Sequence, residues 1–407
     1  GEEYAFIDNK GNDENNDDEF SVLNISDIKL TDIGKGNYTV STSAGGNVTI
    51  DGGSYTSNRT FLYINGDYIP IAISVSDAVI NVERGPNYSN DLYAIQSTSD
   101  TATIDLNNVE INVNASGYIT YGIYIGMPNA VLNVDGVNMN IQSSGTSSLY
   151  GIWLRKGYEL DNVNIDVSGS VGSNLFVLKT EIGDLTLKNS SINLDLTTCG
   201  GNGTDVVEAR GNATVFENVD IDAKVTEGGY KIETLDIGST TFEYNSGNVN
   251  VNVENVNSSV YGMQNSCNNS TFSNVNVTVE GVNSPTLYGI YSSNGITHID
   301  GKVVVNDVGN ENYPSGRGAN IYGYYSGSGS QLKNIDCEVN VEGGIDNAGS
   351  RIYSLYTMGK VEDSTVSIKT PGYGSVYGVN SNGIELINTD IYLETTNAPA
   401  PKYGMNL

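Results

Sequence analysis

Five aromatic residues, Tyr124, Trp153, Tyr291, Tyr325 and Tyr356, each stand three places after a tyrosine in a recurring short phrase. Four of the five follow the form Tyr-Gly-apolar, and a flat aromatic beside a glycine makes a shallow stripe suited to sugar rings or to another protein surface. A second chemistry is offered by polar residues that alternate with Val and Ile: Glu110, Asn112, Asn138, Asn140, Asn164, Asp166, Asp220, Asp222, Asn250, Asn252, Asn276, Thr278, Asp336 and Glu338. Stacked at about 4.8 Å, such oxygens would suit Ca2+ between neighbouring coils. The chain has no Asp-x-Asp-x-Asp-Gly loop and no Gly-Gly-x-Gly-x-Asp nonapeptide, so surface Ca2+ is the weaker reading, and no other cofactor is expected.

The elements that position these residues follow from the phrase itself. It occurs at Tyr121-Gly122-Ile123, Tyr150-Gly151-Ile152, Tyr261-Gly262-Met263, Tyr288-Gly289-Ile290, Tyr322-Gly323-Tyr324, Tyr377-Gly378-Val379 and Tyr403-Gly404-Met405, with looser copies beginning at Tyr93 and Tyr353. The steps are 28, 29, 27, 34, 31, 24 and 26 residues, and a gap of 111 between Tyr150 and Tyr261 has room for four more. Self-similarity at this period is the mark of a stacked repeat. Between phrases lies a second pattern, such as Val163-Asn164-Ile165-Asp166-Val167 and Ile335-Asp336-Cys337-Glu338-Val339, whose period of two predicts a half-buried strand.

No segment has a sustained helical period, and short Asn/Gly turns leave no room for crossover helices. A chain of strand, turn, strand, turn satisfies its backbone by coiling, each strand pairing in parallel with its equivalent one turn later. Asn or Gly precedes the alternating strand at Asn108, Gly136, Asn162, Asn218, Asn274, Gly301, Asn334 and Asn388, and both tolerate the left-handed bend that joins two strands. Stacked asparagines there would form a ladder. Regular alternation would also place Tyr93, Tyr121, Tyr150, Tyr261, Tyr288, Tyr322, Tyr353, Tyr377 and Tyr403 inside, as a structural tyrosine ladder, with Gly and the residue three places after Tyr outside.

The apolar-x-Asn-apolar-x-apolar pattern with its Asn bend resembles that of right-handed parallel β-helix proteins, over roughly residues 45 to 407. The expected fold is therefore all-β, a right-handed parallel β-helix, or β-solenoid, of about 13 coils, each of roughly 24–34 residues. Residues 1–44 fit the repeat poorly, carry the acidic stretch Asn12–Glu19, and read as an N-terminal cap to the 45–407 β-helix.

Enzymes on this fold cleave acidic polysaccharides. Similarity to polygalacturonases would require an Asn-Thr-Asp, a paired Asp, a Gly-His-Gly and an Arg-x-Lys on adjacent coils. Asn388-Thr389-Asp390 matches the first at a bend position; the single histidine, His298, sits in Thr297-His298-Ile299, and the arginines are scattered. No constellation meets the geometric needs of catalysis, so no catalytic residue is assigned.

A formal charge of −29 and a pI near 4.1 oppose nucleic acid, anionic membranes and anionic polysaccharides as partners. No apolar run approaches the length of a membrane span, so membrane insertion of this segment is not expected. Cys337 falls at an inward position, whereas Cys199 and Cys267 lie in polar turns; free thiols or pairing between molecules are expected. Asn-x-Ser/Thr sequons are frequent, Asn87, Asn114 and Asn202 among them, and would be surface acceptors in a glycosylating organism.

These features resemble bacterial autotransporter passengers and archaeal adhesin-like surface proteins. The expectation is a non-enzymatic extracellular, cell-surface solenoid acting as an adhesin or rigid stalk. Its partners would be glycans or proteins of host or neighbouring cells, or copies of itself through solenoid edges. A self-assembling subunit of a sheath, filament or surface layer is the second reading, and a polysaccharide-active enzyme the third.

Overall fold

A computed structural model describes residues 5–10, 21–32, 36–43, 45–66, 69–84, 90–201, 203–308, 320–342, 350–371, 374–396 and 401–407. The acidic stretch Asn12–Glu19, Arg317 and the sequon positions Asn87 and Asn202 lie outside them.

The fold is all-β. Parallel coils stack into a β-solenoid of about 12 turns, one fewer than the repeat count suggests. The chain divides into two compact units, residues 1–193 and 194–407. In the first, strands Tyr38–Ser43, Gly46–Asp51 and Ser54–Ser57 form one coil and pair in parallel with Thr60–Asn65, Ile71–Ser76 and Val79–Glu83. Strands Ala5–Lys10, Ser21–Ser26 and Lys29–Asp32 make the coil before them, in the same parallel register. Over the described residues of the expected N-terminal cap the same parallel pairing continues, with Ile25 and Val40 buried. In the second unit the same stacking joins Ile232–Glu254 to Ser259–Asn265 and Asn269–Val282, and these to Thr286–Ser292 and Thr297–Val308.

The alternating strand behaves as its sequence requires. Val109, Ile111 and Val113 are buried while Glu110 and Asn114 are exposed, and the register sets Ile111 beside Met139 on the next coil. Aliphatic side chains therefore stack into continuous columns, and each coil buries the apolar edge of its neighbour.

The bend is left-handed at Asn108 (φ 50°), Asn162 (52°), Asn218 (56°), Asn274 (55°), Asn334 (52°), Asn388 (45°) and Gly136 (77°). Gly301 is not the bend residue of its coil; Asp300 is, with φ 55°. Asp27, Asp77, Asn189, Ser246 and Asp363 take the same conformation, so Asp shares the position with Asn. The reason lies in the hydrogen bonds. Asn108 Nδ2 donates to Asp77 Oδ1 at 2.6 Å, Asn334 to Asp300 at 2.6 Å and Asn388 to Asp363 at 3.1 Å. Where Gly136 has no side chain, Asn162 Nδ2 reaches the preceding Asp135 at 2.8 Å. An amide that donates pairs with a carboxylate that can only accept.

The Tyr-Gly strand departs from regular alternation. Leu287 and Ile290 are both fully buried, and a Cβ on Gly289 would lie 2.5 Å from Val303 Cγ1, so glycine and its apolar successor both face the core. The tyrosine before glycine is turned outward, onto the same side as the residue three places on. The physical cause is steric: without a Cβ the strand settles against the valines of the opposing wall, and two consecutive inward residues break the period of two.

Candidate functional site

Because the tyrosines face outward, each unit carries two parallel files of side chains on this wall. In unit 1 the first file runs Tyr93, Tyr121, Tyr150, Phe176, with ring centroids 4.6, 4.7 and 5.3 Å apart and planes within 11°. In unit 2 it runs Tyr261, Tyr288, Tyr322, Tyr353, Tyr377, Tyr403, at 4.7 to 5.3 Å. The second file holds Tyr124 and Trp153 at 4.8 Å, and Tyr291, Tyr325 and Tyr356 stacked at 4.9 and 4.8 Å. The files meet edge to face, as in Tyr288–Tyr291 (5.3 Å, 78°) and Tyr353–Tyr356 (5.5 Å, 89°). Both are favoured aromatic geometries.

This packing decides what the aromatics can do. Ring faces in each stack are covered by the neighbouring ring, which leaves ring edges for contact. Burial pushes the Tyr322 hydroxyl up to about 12, with neighbouring tyrosines adding to the effect, so it stays a donor at any physiological pH. The second file is flanked by amides in register: Gln96 precedes Tyr124, Gln264 precedes Tyr291 and Asn380 follows Tyr356. Trp153 Nε1 donates to Glu181 Oε1 at 3.2 Å, and Arg155 also pairs with Glu181.

The gap in the repeat is filled by residues the Tyr-Gly phrase does not reveal. Phe176 lies beside Tyr150, Asp205 beside Glu233, and Glu233 beside Tyr261. In unit 2 two coils thus carry carboxylates at tyrosine positions, and Glu208 and Asp236 stand in the second file. The signal available in the sequence was the step length, which sets 176, 205 and 233 between 150 and 261.

Arg210 Nε lies 3.1 Å from Glu208 Oε1, and its Nη1 donates to Asp236 Oδ1 at 3.2 Å while Nη2 holds Oδ2. Lys231 Nζ lies 2.6 Å from Glu233 Oε1 and 5.0 Å from the centre of the Tyr261 ring. Carboxylate oxygens of Asp205, Glu233 and Asp236 come within 4.8 Å of one another. Burial, followed by the charge of Glu233 and a hydrogen bond with it, pushes Asp205 up to about 8. The four carboxyl groups Asp205, Glu208, Glu233 and Asp236 are thus offset by two cations, Arg210 and Lys231. Among the described residues, Asp205, Glu233 and Asp236 are the group whose donor set matches a hard cation.

Unit 1 carries a groove of about 410 Å³ on the outer side of the alternating strands. Asn112 and Asn140, expected on an outward row, lie in it, with Asn81 on the coil before and Asp166 on the coil after. The remaining outward rows are paired along the axis. Asn164 Nδ2 donates to Asn138 (3.0 Å), Asn250 to Asp222 (2.6 Å) and Asn276 to Asn248 (3.0 Å). Lys302 spans Asp336 at 3.3 Å and Glu338 at 2.7 Å.

His298 is wholly interior, with Nδ1 2.8 Å from Tyr324 Oη and Nε2 3.1 Å from the Val275 carbonyl, and burial pushes it down to about 4. Asn388-Thr389-Asp390 is a bend: Thr389 Oγ1 donates to the Ile387 carbonyl at 2.9 Å. Cys199 and Cys267, expected in polar turns, are buried, as is Cys337; all three are free thiols. Local backbone folding tucks them under the coil, which removes the surface thiol that pairing between molecules would need.

Comparison with family models, with curated proteins and with solved structures gives no match. The functional reading therefore rests on the geometry above.

Proposed function

We propose that this chain is a non-enzymatic extracellular β-solenoid that acts as a cell-surface adhesin. The observation that carries the reading is the second file, Tyr291, Tyr325 and Tyr356 bracketed by Gln264 and Asn380, held in register by coil pairing on the outer wall. Side chains fixed before a partner arrives lose little freedom on contact, and a row of equivalent contacts gains strength by repetition. Rings presented by their edges beside amides suit a partner rich in hydroxyl and carbonyl groups, that is, a glycan or a polar protein face. The strong net negative charge turns the choice away from anionic partners. Frequent sequons are consistent with display at a cell surface.

The test is adhesion of beads coated with the purified chain to whole cells and to a glycan array. The double variant Tyr325→Ala/Tyr356→Ala is expected to cut adhesion several-fold while far-UV circular dichroism is unchanged. Absence of adhesion by the unaltered chain to every cell type and glycan tried would refute the reading.

A further inference from the structure

The groove of unit 1 has the volume of a small-ligand site, for which a few hundred cubic ångströms is usual. Its floor is fixed without any ligand. Asn81 Nδ2 donates to the Tyr55 carbonyl at 3.2 Å, Asn112 Nδ2 to Asn81 Oδ1 at 3.1 Å and to Glu110 Oε1 at 2.7 Å, and Asn140 Nδ2 to Asn112 Oδ1 at 2.9 Å. Two residues further along the same strands stand Asn114, Gln142 and Ser168, one per coil and in register. Their side chains are exposed and make no hydrogen bond among the described residues. A rigid amide floor beside a rim of free amides and a hydroxyl is an arrangement with hydrogen-bonding capacity held ready.

We propose that this groove binds a short stretch of a neutral glycan lying along the stacking direction of the coils. The class of ligand follows from four features. Amide and hydroxyl groups both donate and accept, matching the hydroxyls that a sugar chain presents along its whole length. The charged residues of the lining are Glu83 and Asp166, with no cation, so uronate, sulfate and phosphate groups are repelled. Val82, Val113 and Ile141 contribute to the lining but are buried, leaving no pocket for the apolar anchor that a peptide would bring. An extended peptide also repeats its side chains on one face about every 6.7 Å, which does not match coil steps of about 4.8 Å.

This proposal rests on the adhesin reading for the kind of partner, and it concerns different residues in the other unit. The chain is made in a host that does not N-glycosylate, so that the Asn114-Ala115-Ser116 sequon stays bare, and is run in native gels containing mannan, dextran, a soluble β-glucan or alginate. Retardation by at least one neutral polysaccharide and none by alginate is expected. The variant Asn114→Ala/Gln142→Ala loses at least two hydrogen bonds to the ligand, so binding should weaken about tenfold or more. Among the described residues neither side chain has a hydrogen-bond partner, so the variant should keep its melting temperature; Tyr325→Ala/Tyr356→Ala should keep the retardation. Retardation by alginate alone, retardation that survives the groove variant, or no retardation in any gel overturns the proposal. If retardation is absent while beads still adhere to cells, the groove assignment fails and the adhesin reading stands; loss of both removes the two together.

Discussion

Asp307 offers the sharpest test of the physical reasoning. It is 1% exposed, and among the described residues neither carboxylate oxygen has a hydrogen-bond partner. It stands in register with Gly281 and Val341, at an inward position after Val303 and Val305. Burial alone pushes its carboxyl from an ordinary value of 3.8 up to about 7. The native state therefore holds a proton that the unfolded chain releases. Stability from this group is complete below pH 3.8, falls as pH rises, and is lost once pH passes about 7. At 1.36 kcal/mol for each unit, a gap of about three units amounts to roughly 4 kcal/mol, or about a thousandfold in an opening equilibrium. Asp307→Asn keeps the shape of the protonated acid and removes the titration. Because repeat arrays open locally, the assay is hydrogen exchange of a peptide spanning residues 297–308. The ratio of protection, variant over unaltered chain, should rise by about three orders of magnitude between pH 4 and pH 8. Intrinsic exchange rates cancel in that ratio, as does the constant cost of burying the amide. A ratio independent of pH would refute the account.

Other consequences can be checked in the same preparations. Gly289→Ala drives a Cβ against Val303 Cγ1 at 2.5 Å and the Gly323 carbonyl at 2.7 Å, so a loss of about 1–3 kcal/mol should appear as a lower melting temperature. Asn108→Ala forces a Cβ residue without a local hydrogen bond into φ 50° and removes the bond to Asp77; the cost should be about 1–2 kcal/mol, with Asn108→Gly milder. Asp205, pushed up to about 8, favours the fold less as pH rises toward that value, so Asp205→Asn should stabilise unit 2 more at pH 9 than at pH 5 in thermal melts. Burial pushes the Cys267 thiol up to about 11 and that of Cys337 to about 12, so a thiol reagent at pH 8 should label neither until denaturant is added.

How much of the site could be read beforehand depended on which residues break the repeat. The aromatic residues were visible because each sits three places after a tyrosine of the repeat; coil pairing puts Tyr124 beside Trp153 in unit 1, and Tyr325 between Tyr291 and Tyr356 in unit 2. Asp205 and Glu233 were hidden because a carboxylate shares nothing with the tyrosine whose place it takes; only the register with Tyr261 identifies it. The groove was hidden for another reason. Asn112 and Asn140 were legible as one outward row, but a concave site also needs Asn114, Gln142 and Ser168, and depth is not a property of a period.

By itself the sequence determined that this protein coils: period-two strands, left-handed bends at Asn and Gly, and a step near 28 residues leave the backbone no other way to satisfy its hydrogen bonds. Only the tertiary structure decided which way the tyrosines face. Alternation sends Tyr288 inward, and the approach of Gly289 to Val303 on the opposing wall sends it outward. The choice depends on a contact between residues fourteen apart in sequence, where the absence of one Cβ lets two walls of a coil close together. Facing follows packing, and packing is not local.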